Sequence, residues 1–121
     1  MSKTILVIED DSDIRNFIID EVLSHIEGLI FRQAVNGHDA IKFVVEPNQC
    51  QLIISDYEMP ICDGAKFIEM LRDKNIQTPV IVFTGHAAVP ITLLAPVIKI
   101  IENKNFKGLL QAVNDWIKEA S

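Results

Sequence analysis

Glu9-Asp10, Asp56 and Thr84 are the residues whose types and spacing could do chemistry together. Glu9 and Asp10 follow the apolar run Thr4–Ile8, Asp56 follows Leu52–Ser55, and Thr84 closes the run Pro79–Thr84. If those runs are neighbouring strands, three carboxylates meet on one edge. Unpaired, they would repel and raise one another's pKa values, so a divalent cation is the economical way to hold them together ionised. Oxygen-only donors favour Mg²⁺, which keeps several waters and takes one or two carboxylates plus a phosphoryl oxygen. A lone acid after a strand is most often a loop or helix-start charge. Asp11 and Asp13, past the strand end and near the start of a helix, fit that plainer reading. Thr84 taken alone is a strand-end hydroxyl.

The elements that would position these groups are readable from hydrophobic patterning. Apolar runs of strand length recur at Thr4–Ile8, Leu29–Ala34, Leu52–Ser55, Pro79–Thr84 and Val97–Ile101, most of them rich in Ile and Val. Ile14, Phe17, Ile18, Val22 and Ile26 form a helical stripe starting near Ser12 or Asp13, with Gly28 as its stop. A second helix is predicted from His38 or Asp39, after Asn36-Gly37, to before Pro47, and a third carries Phe67, Ile68 and Leu71 after Gly64. After Thr84 the pattern is irregular, because Pro90 suits a first helical turn but Pro96 ends any helix within about two turns. The last helix is clear, with Phe106, Leu109, Leu110, Val113, Trp116 and Ile117 on one face. Alternating strands and helices predict an α/β doubly wound parallel sheet covered on both faces. In such sheets the site lies outside the carboxyl ends of the strands.

Composition narrows the function classes. The 121 residues, 49% hydrophobic and 23% charged, suit one domain spanning 1–121. A net charge of −6 is the wrong sign for direct nucleic-acid binding. Cys50 and Cys62 lack any CxxC or paired His, so reduced thiols are expected. Met1 to Lys3 shows no signal peptide and no run reaches membrane-spanning length, so no membrane association and a cytoplasmic location are expected. Gly-x-Ser-x-Gly, His-Glu-x-x-His and Gly-rich phosphate loops are all missing, and His25, His38 and His86 are scattered singles. Asp11-Ser12-Asp13 has the Asp-x-Asp spacing of dehalogenase-like phosphatases but starts two residues late, with no room for a cap domain.

Three stretches together resemble the receiver domain of two-component response regulators: Ile5-Leu6-Val7-Ile8-Glu9-Asp10-Asp11, Ile53-Ile54-Ser55-Asp56-Tyr57-Glu58-Met59-Pro60-Ile61-Cys62-Asp63-Gly64, and Val80-Ile81-Val82-Phe83-Thr84-Gly85. Asn36-Gly37-x-Asp39-Ala40 resembles the same family. The resemblance covers essentially the whole chain. It implies a flavodoxin-like (βα)5 sheet of order 2-1-3-4-5. It also implies that Asp56 accepts a phosphoryl group from a histidine kinase or phosphotransfer protein, with Mg²⁺ as cofactor. Asp10 would bind the metal directly, Glu9 through water, and Glu58 through its backbone carbonyl. Thr84 would hydrogen-bond the phosphoryl oxygen, and the modified domain would regulate a downstream protein. Such a domain phosphorylates and dephosphorylates itself at most and is not a conventional turnover enzyme.

The chain departs from the pattern at the usual strand-end Lys-Pro. Counting back seven from Leu110 puts Asn103 in the Lys slot, with Lys104 beside it. Lys104 is the favoured candidate to reach the site. Lys99 is the alternative, and a surface role stays open for both. By the same count Ile100 stands where the family often has a switching aromatic. The rival function is a degenerate receiver that docks partners without phosphorylation. The leading one is a stand-alone phosphorylation switch, the chain ending at Ser121 just past the last helix.

Overall fold

β1 (Lys3–Ile8) is an interior strand of a five-stranded parallel sheet, flanked by β2 (Leu29–Ala34) and β3 (Leu52–Ser55), with β4 (Val80–Phe83) and β5 (Val97–Ile101) beyond in the order 2-1-3-4-5. This architecture comes from a computed structural model, which describes residues 3–86 and 89–120. Strand order and strand positions are those expected, with β1 starting one residue earlier and β4 a residue shorter at each end. The interior strands β3 and β4 are buried along their whole length, as unbroken apolar runs require when both sheet faces are covered.

Two cores follow from the strand alternation. On one face Leu6, Ile8, Ile53, Val80 and Val82 pack against Phe67, Ile68 and Leu71 of α3 (Gly64–Asp73), beside Ala40 of α2 (Gly37–Ala40). On the other, Ile5, Val7, Ile54, Ile81 and Phe83 pack against Ile18 and Leu23 and against Leu109 and Val113 of α4 (Phe106–Glu119).

The first helical segment differs from its expected course. Regular α1 covers only Ser12–Phe17, and Ile18–Val22 widens into a π turn in which the Leu23 amide donates to Ile18 O at 2.9 Å. The wide turn shifts the helical phase by one residue. Leu23, off the predicted stripe, is therefore fully buried, while Phe17, on it, is 45% exposed and meets Phe106 edge-on. The second helix is likewise short and tightens into a 3-10 turn at Ile41–Phe43. Between Gly85 and Pro96 the described residues hold no helix, and Ala87 and Ala88 lie outside them. Instead Ile91 packs on the α3-side core, and Arg72 ties the segment down by donating to the carbonyls of Leu94 and Ala95 at 3.0 Å each.

The sheet register levels the site. Ile8 pairs with Ser55 and the Asp56 amide donates to Ile8 O at 3.0 Å, so Glu9 and Asp56 leave the sheet side by side. The loop after Asp56 returns tightly, because the Gly64 amide donates to Tyr57 O at 2.8 Å and starts α3 there. A Cβ on Gly64 would lie 2.5 Å from Asp56 O and 2.9 Å from Tyr57 Cα, both backbone atoms that cannot step aside. Gly64→Ala is therefore expected to lower stability by about 1–3 kcal/mol, read as a shifted urea midpoint with an unchanged slope.

Candidate functional site

Glu9, Asp10 and Asp56 each offer a carboxylate oxygen, and the three oxygens lie within 4.8 Å of one another. Glu9 is buried at 2% exposure while Asp10 is exposed, so the cluster runs from the sheet edge to solvent. One oxygen of Glu9, Oε1, accepts from Lys104 Nζ at 3.0 Å. The other, Oε2, is buried with no hydrogen-bond partner among the described residues. Asp56 Oδ1 accepts the Tyr57 amide at 2.7 Å, and its Oδ2 lies 3.6 Å from Lys104 Nζ. A hollow of about 380 Å³ lined by Asp10, Glu58, Met59, Pro60 and Asp63 opens beside the cluster. An orphaned buried carboxylate oxygen, two neighbouring carboxylates and room for water make a donor set that fits a hard divalent cation.

Asp11 and Asp13 are not in the cluster. Asp11 caps α1, its Oδ1 accepting the amides of Asp13 at 2.9 Å and Ile14 at 3.3 Å, and Asp13 sits in the first turn. The helix-start reading of both acids holds.

Electrostatics at Glu9 are dominated by burial. Loss of solvent, then the adjoining Asp56 carboxylate, push its carboxyl from 4.5 up to about 8 against the pull of the Lys104 ammonium. A carboxyl raised above its unfolded value favours folding at low pH and loses that contribution as pH climbs through the folded pKa. The metal-free protein is thus expected to melt at progressively lower temperature from about pH 5 to pH 8, opposite to the usual carboxylate trend. Glu9→Gln should flatten that dependence. A thermal melt series in chelator, with both proteins, checks the sign.

Lys104 reaches the acids by an unusual turn. Asn103 and Lys104 are consecutive left-handed residues, at φ 57° and 49°. Their amides hook onto the loop after β4, Asn103 N–H donating to His86 O at 3.2 Å and Lys104 N–H to Thr84 O at 2.8 Å. The turn therefore folds back over the site. Lys99 pairs with Ile81, two positions short of the Phe83–Ile101 level where the sheet ends, and is exposed. Asn103, the residue reached by counting back from Leu110, is exposed and supplies only the bend.

Thr84 is fully buried at the end of β4, and its Oγ1 accepts the His86 amide at 3.2 Å. Glu58 points outward, and His86 Nε2 lies 3.0 Å from its Oε2 with both side chains exposed. His86 was unmarked in the sequence, where it is one of three isolated histidines. Its place two residues after Thr84, facing the residue two after Asp56, was the available signal. Ile100, which the count through Asn103 would put in the place of a switching aromatic, is partly buried against the α3-side core.

Residues 5–100 match the family model described as the response regulator receiver domain. The chain belongs to that family. Among curated relatives of this receiver, the DNA-binding transcriptional regulator NtrC of Proteus hauseri is 28% identical over 81 residues, covering 67% of this chain and 16% of NtrC. The transcriptional regulatory protein PrrA of Mycobacterium tuberculosis is 31% identical over 88 residues, 73% of this chain and 36% of PrrA. The receiver thus spans well under half the length of either. Among solved structures, the receiver domain of Francisella response regulator 1452 superposes with a TM-score of 0.79 at 27% identity, over 99% of this chain and 100% of that one. Response regulator TrrA of Thermotoga maritima, in complex with Mg(2+)-BeF, gives 0.78 at 27% identity over 93% of this chain and 97% of its own. Among the described residues of the receiver no helix is long and apolar enough to cross a membrane.

Proposed function

We propose that this receiver is a phosphorylation-dependent signalling switch in which Asp56 accepts a phosphoryl group from a histidine kinase or phosphotransfer protein. The phosphorylated form regulates a downstream protein, in the cytoplasm. The observation that carries this reading is the placement of Lys104 Nζ between Glu9 and Asp56, 3.0 Å from one and 3.6 Å from the other. A carboxylate nucleophile flanked by a cation is the arrangement phosphoryl transfer needs, because charge on the transferring group must be met by preorganised donors.

The steps follow from these side chains. An Asp56 oxygen attacks phosphorus in line, the bond to the donor nitrogen breaks, and the imidazole leaves with a proton. Glu9, Asp10, Asp56 and the main-chain carbonyl of Glu58 would hold Mg²⁺. Bound there, the ion would supply positive charge to the phosphoryl oxygens. Lys104 stabilises the same oxygens from the protein side. Thr84, whose Oγ1 accepts the His86 amide, has its hydroxyl proton left to donate to one of them, which would link the new charge to the loop after β4.

The alternative, a docking module that is never phosphorylated, drew its support from the missing Lys-Pro. The reach of Lys104 into the acid cluster supports the switch over that module. The test is intact mass after incubation with a small phosphodonor. A gain of one phosphoryl group with Mg²⁺ and none in excess chelator is expected, and equal labelling in chelator would overturn the metal's part.

Because Asp11 already caps α1 and Asp10 lies in the carboxylate cluster, the two should separate in a Mg²⁺ titration. Asp10→Asn is expected to weaken affinity by about tenfold or more, taking loss of a direct ligand to cost no less than loss of an outer partner. Asp11→Asn keeps a capping oxygen and should leave affinity within about twofold.

A further inference from the structure

We infer that Arg15 is a positioning residue for the acidic pair, holding the Glu9–Asp10 peptide so that Asp10 faces Asp56. The inference rests on the reading of Glu9, Asp10 and Asp56 as a Mg²⁺ site. Arg15 lies in α1 and is half-buried, with two directed hydrogen bonds. Its Nη1 donates to the backbone carbonyl of Glu9 at 2.6 Å, and its Nε donates to Gln33 Oε1 on β2 at 2.8 Å.

Arg15 pairs with no carboxylate among the described residues, although Asp11 and Asp13 are its near neighbours in sequence. Its charge is directed to a main-chain oxygen. A charge-assisted bond of that length is among the stronger ones a neutral acceptor makes.

What it fixes is specific. The Glu9 amide is already held from the sheet, donating to Ala34 O at 3.1 Å. With the Glu9 carbonyl also held, turning the peptide plane that carries the chain into Asp10 would break the bond to Arg15. Asp10 has no hydrogen bond of its own among the described residues and is exposed, so its direction depends on that plane. Gln33 in turn fixes the guanidinium, tying α1, β1 and β2 to one orientation of the pair.

Electrostatics and positioning predict opposite signs, which makes the inference testable. As a bare cation beside a cation site, Arg15 repels Mg²⁺, and neutralising it would tighten binding. As a positioner of a ligand, its loss weakens binding, by about tenfold if it acts like other outer partners of metal ligands. The experiment is calorimetric titration of the full chain with Mg²⁺ alone, with amide spectra confirming the fold of each variant. Arg15→Gln should raise the dissociation constant about tenfold. Arg15→Lys, which can reach the carbonyl but not Gln33 as well, should raise it less.

Gln33→Ala, at an exposed position, is the second variant should Arg15→Gln fail to fold, and it too should weaken binding. Saturating Mg²⁺ should then return the phosphorylation rate from a small phosphodonor to near the wild-type value, because the reacting groups are untouched. Wild-type protein that does not bind Mg²⁺ would overturn the metal-site reading and this inference with it. Wild-type binding with unchanged or tighter affinity in Arg15→Gln, or unchanged affinity in Gln33→Ala if that variant must stand in, would overturn the positioning role alone.

Discussion

Asp56→Asn abolishes phosphoryl uptake from a small phosphodonor and leaves the fold intact: that is the expected outcome, and it carries the largest effect. The amide oxygen can still accept the Tyr57 amide that Asp56 Oδ1 holds at 2.7 Å, so the loop into α3 keeps its anchor. What is lost is the nucleophile, since an amide oxygen has neither the charge nor the basicity to displace a phosphoryl donor. A second consequence follows from Glu9. Its carboxyl is raised in part by the charge of the adjoining Asp56, so removing that charge lets Glu9 ionise at lower pH. The metal-free variant should therefore show a shallower loss of thermal stability toward pH 8 than the wild type. Intact mass and a pair of melts test both parts. Undiminished mass gain in Asp56→Asn would place the acceptor elsewhere.

Lys104→Ala is expected to slow phosphorylation by about a hundredfold, the scale of losing one preorganised donor to a developing charge. Lys99→Ala should stay within about twofold of wild type. Lys104 Nζ lies 3.0 Å from Glu9 and 3.6 Å from Asp56, and in the metal-free protein removing it leaves two adjacent carboxylates without its charge. Glu9 then holds its proton to still higher pH, because the Lys104 ammonium opposes the effect of burial. Lys99 sits two strand positions back from the sheet end, paired with Ile81. Rates from a small phosphodonor at saturating Mg²⁺ decide the comparison. A larger loss in Lys99→Ala would mean that the turn at Asn103 and Lys104 does not deliver its side chain to the reacting group.

Strand positions, the parallel sheet and the meeting of Glu9, Asp10 and Asp56 at one edge were legible from the chain alone. The reason is local: strands buried on both faces must be continuous apolar runs, and the residue ending each run must leave the sheet at its carboxyl edge. The order of the sheet came from the family resemblance. The separation of Asp11 from the cluster was also readable, because an acid at a helix start has a capping role open to it.

Tertiary structure decided the rest. Counting along the chain puts Asn103 in the lysine slot, yet two left-handed residues hooked to the Thr84 and His86 carbonyls bring Lys104 to the acids, and no spacing rule encodes that bend. The π turn after Phe17 shifts the helical phase beyond it, so Leu23, off the stripe that the periodicity marked, is buried. The segment before β5 is held by Arg72, and the Glu9 carbonyl by Arg15, through side-chain contacts that depend on where other elements lie. Periodicity and motif spacing describe a residue's relation to its own element, whereas these contacts exist only after elements distant in sequence have been brought together.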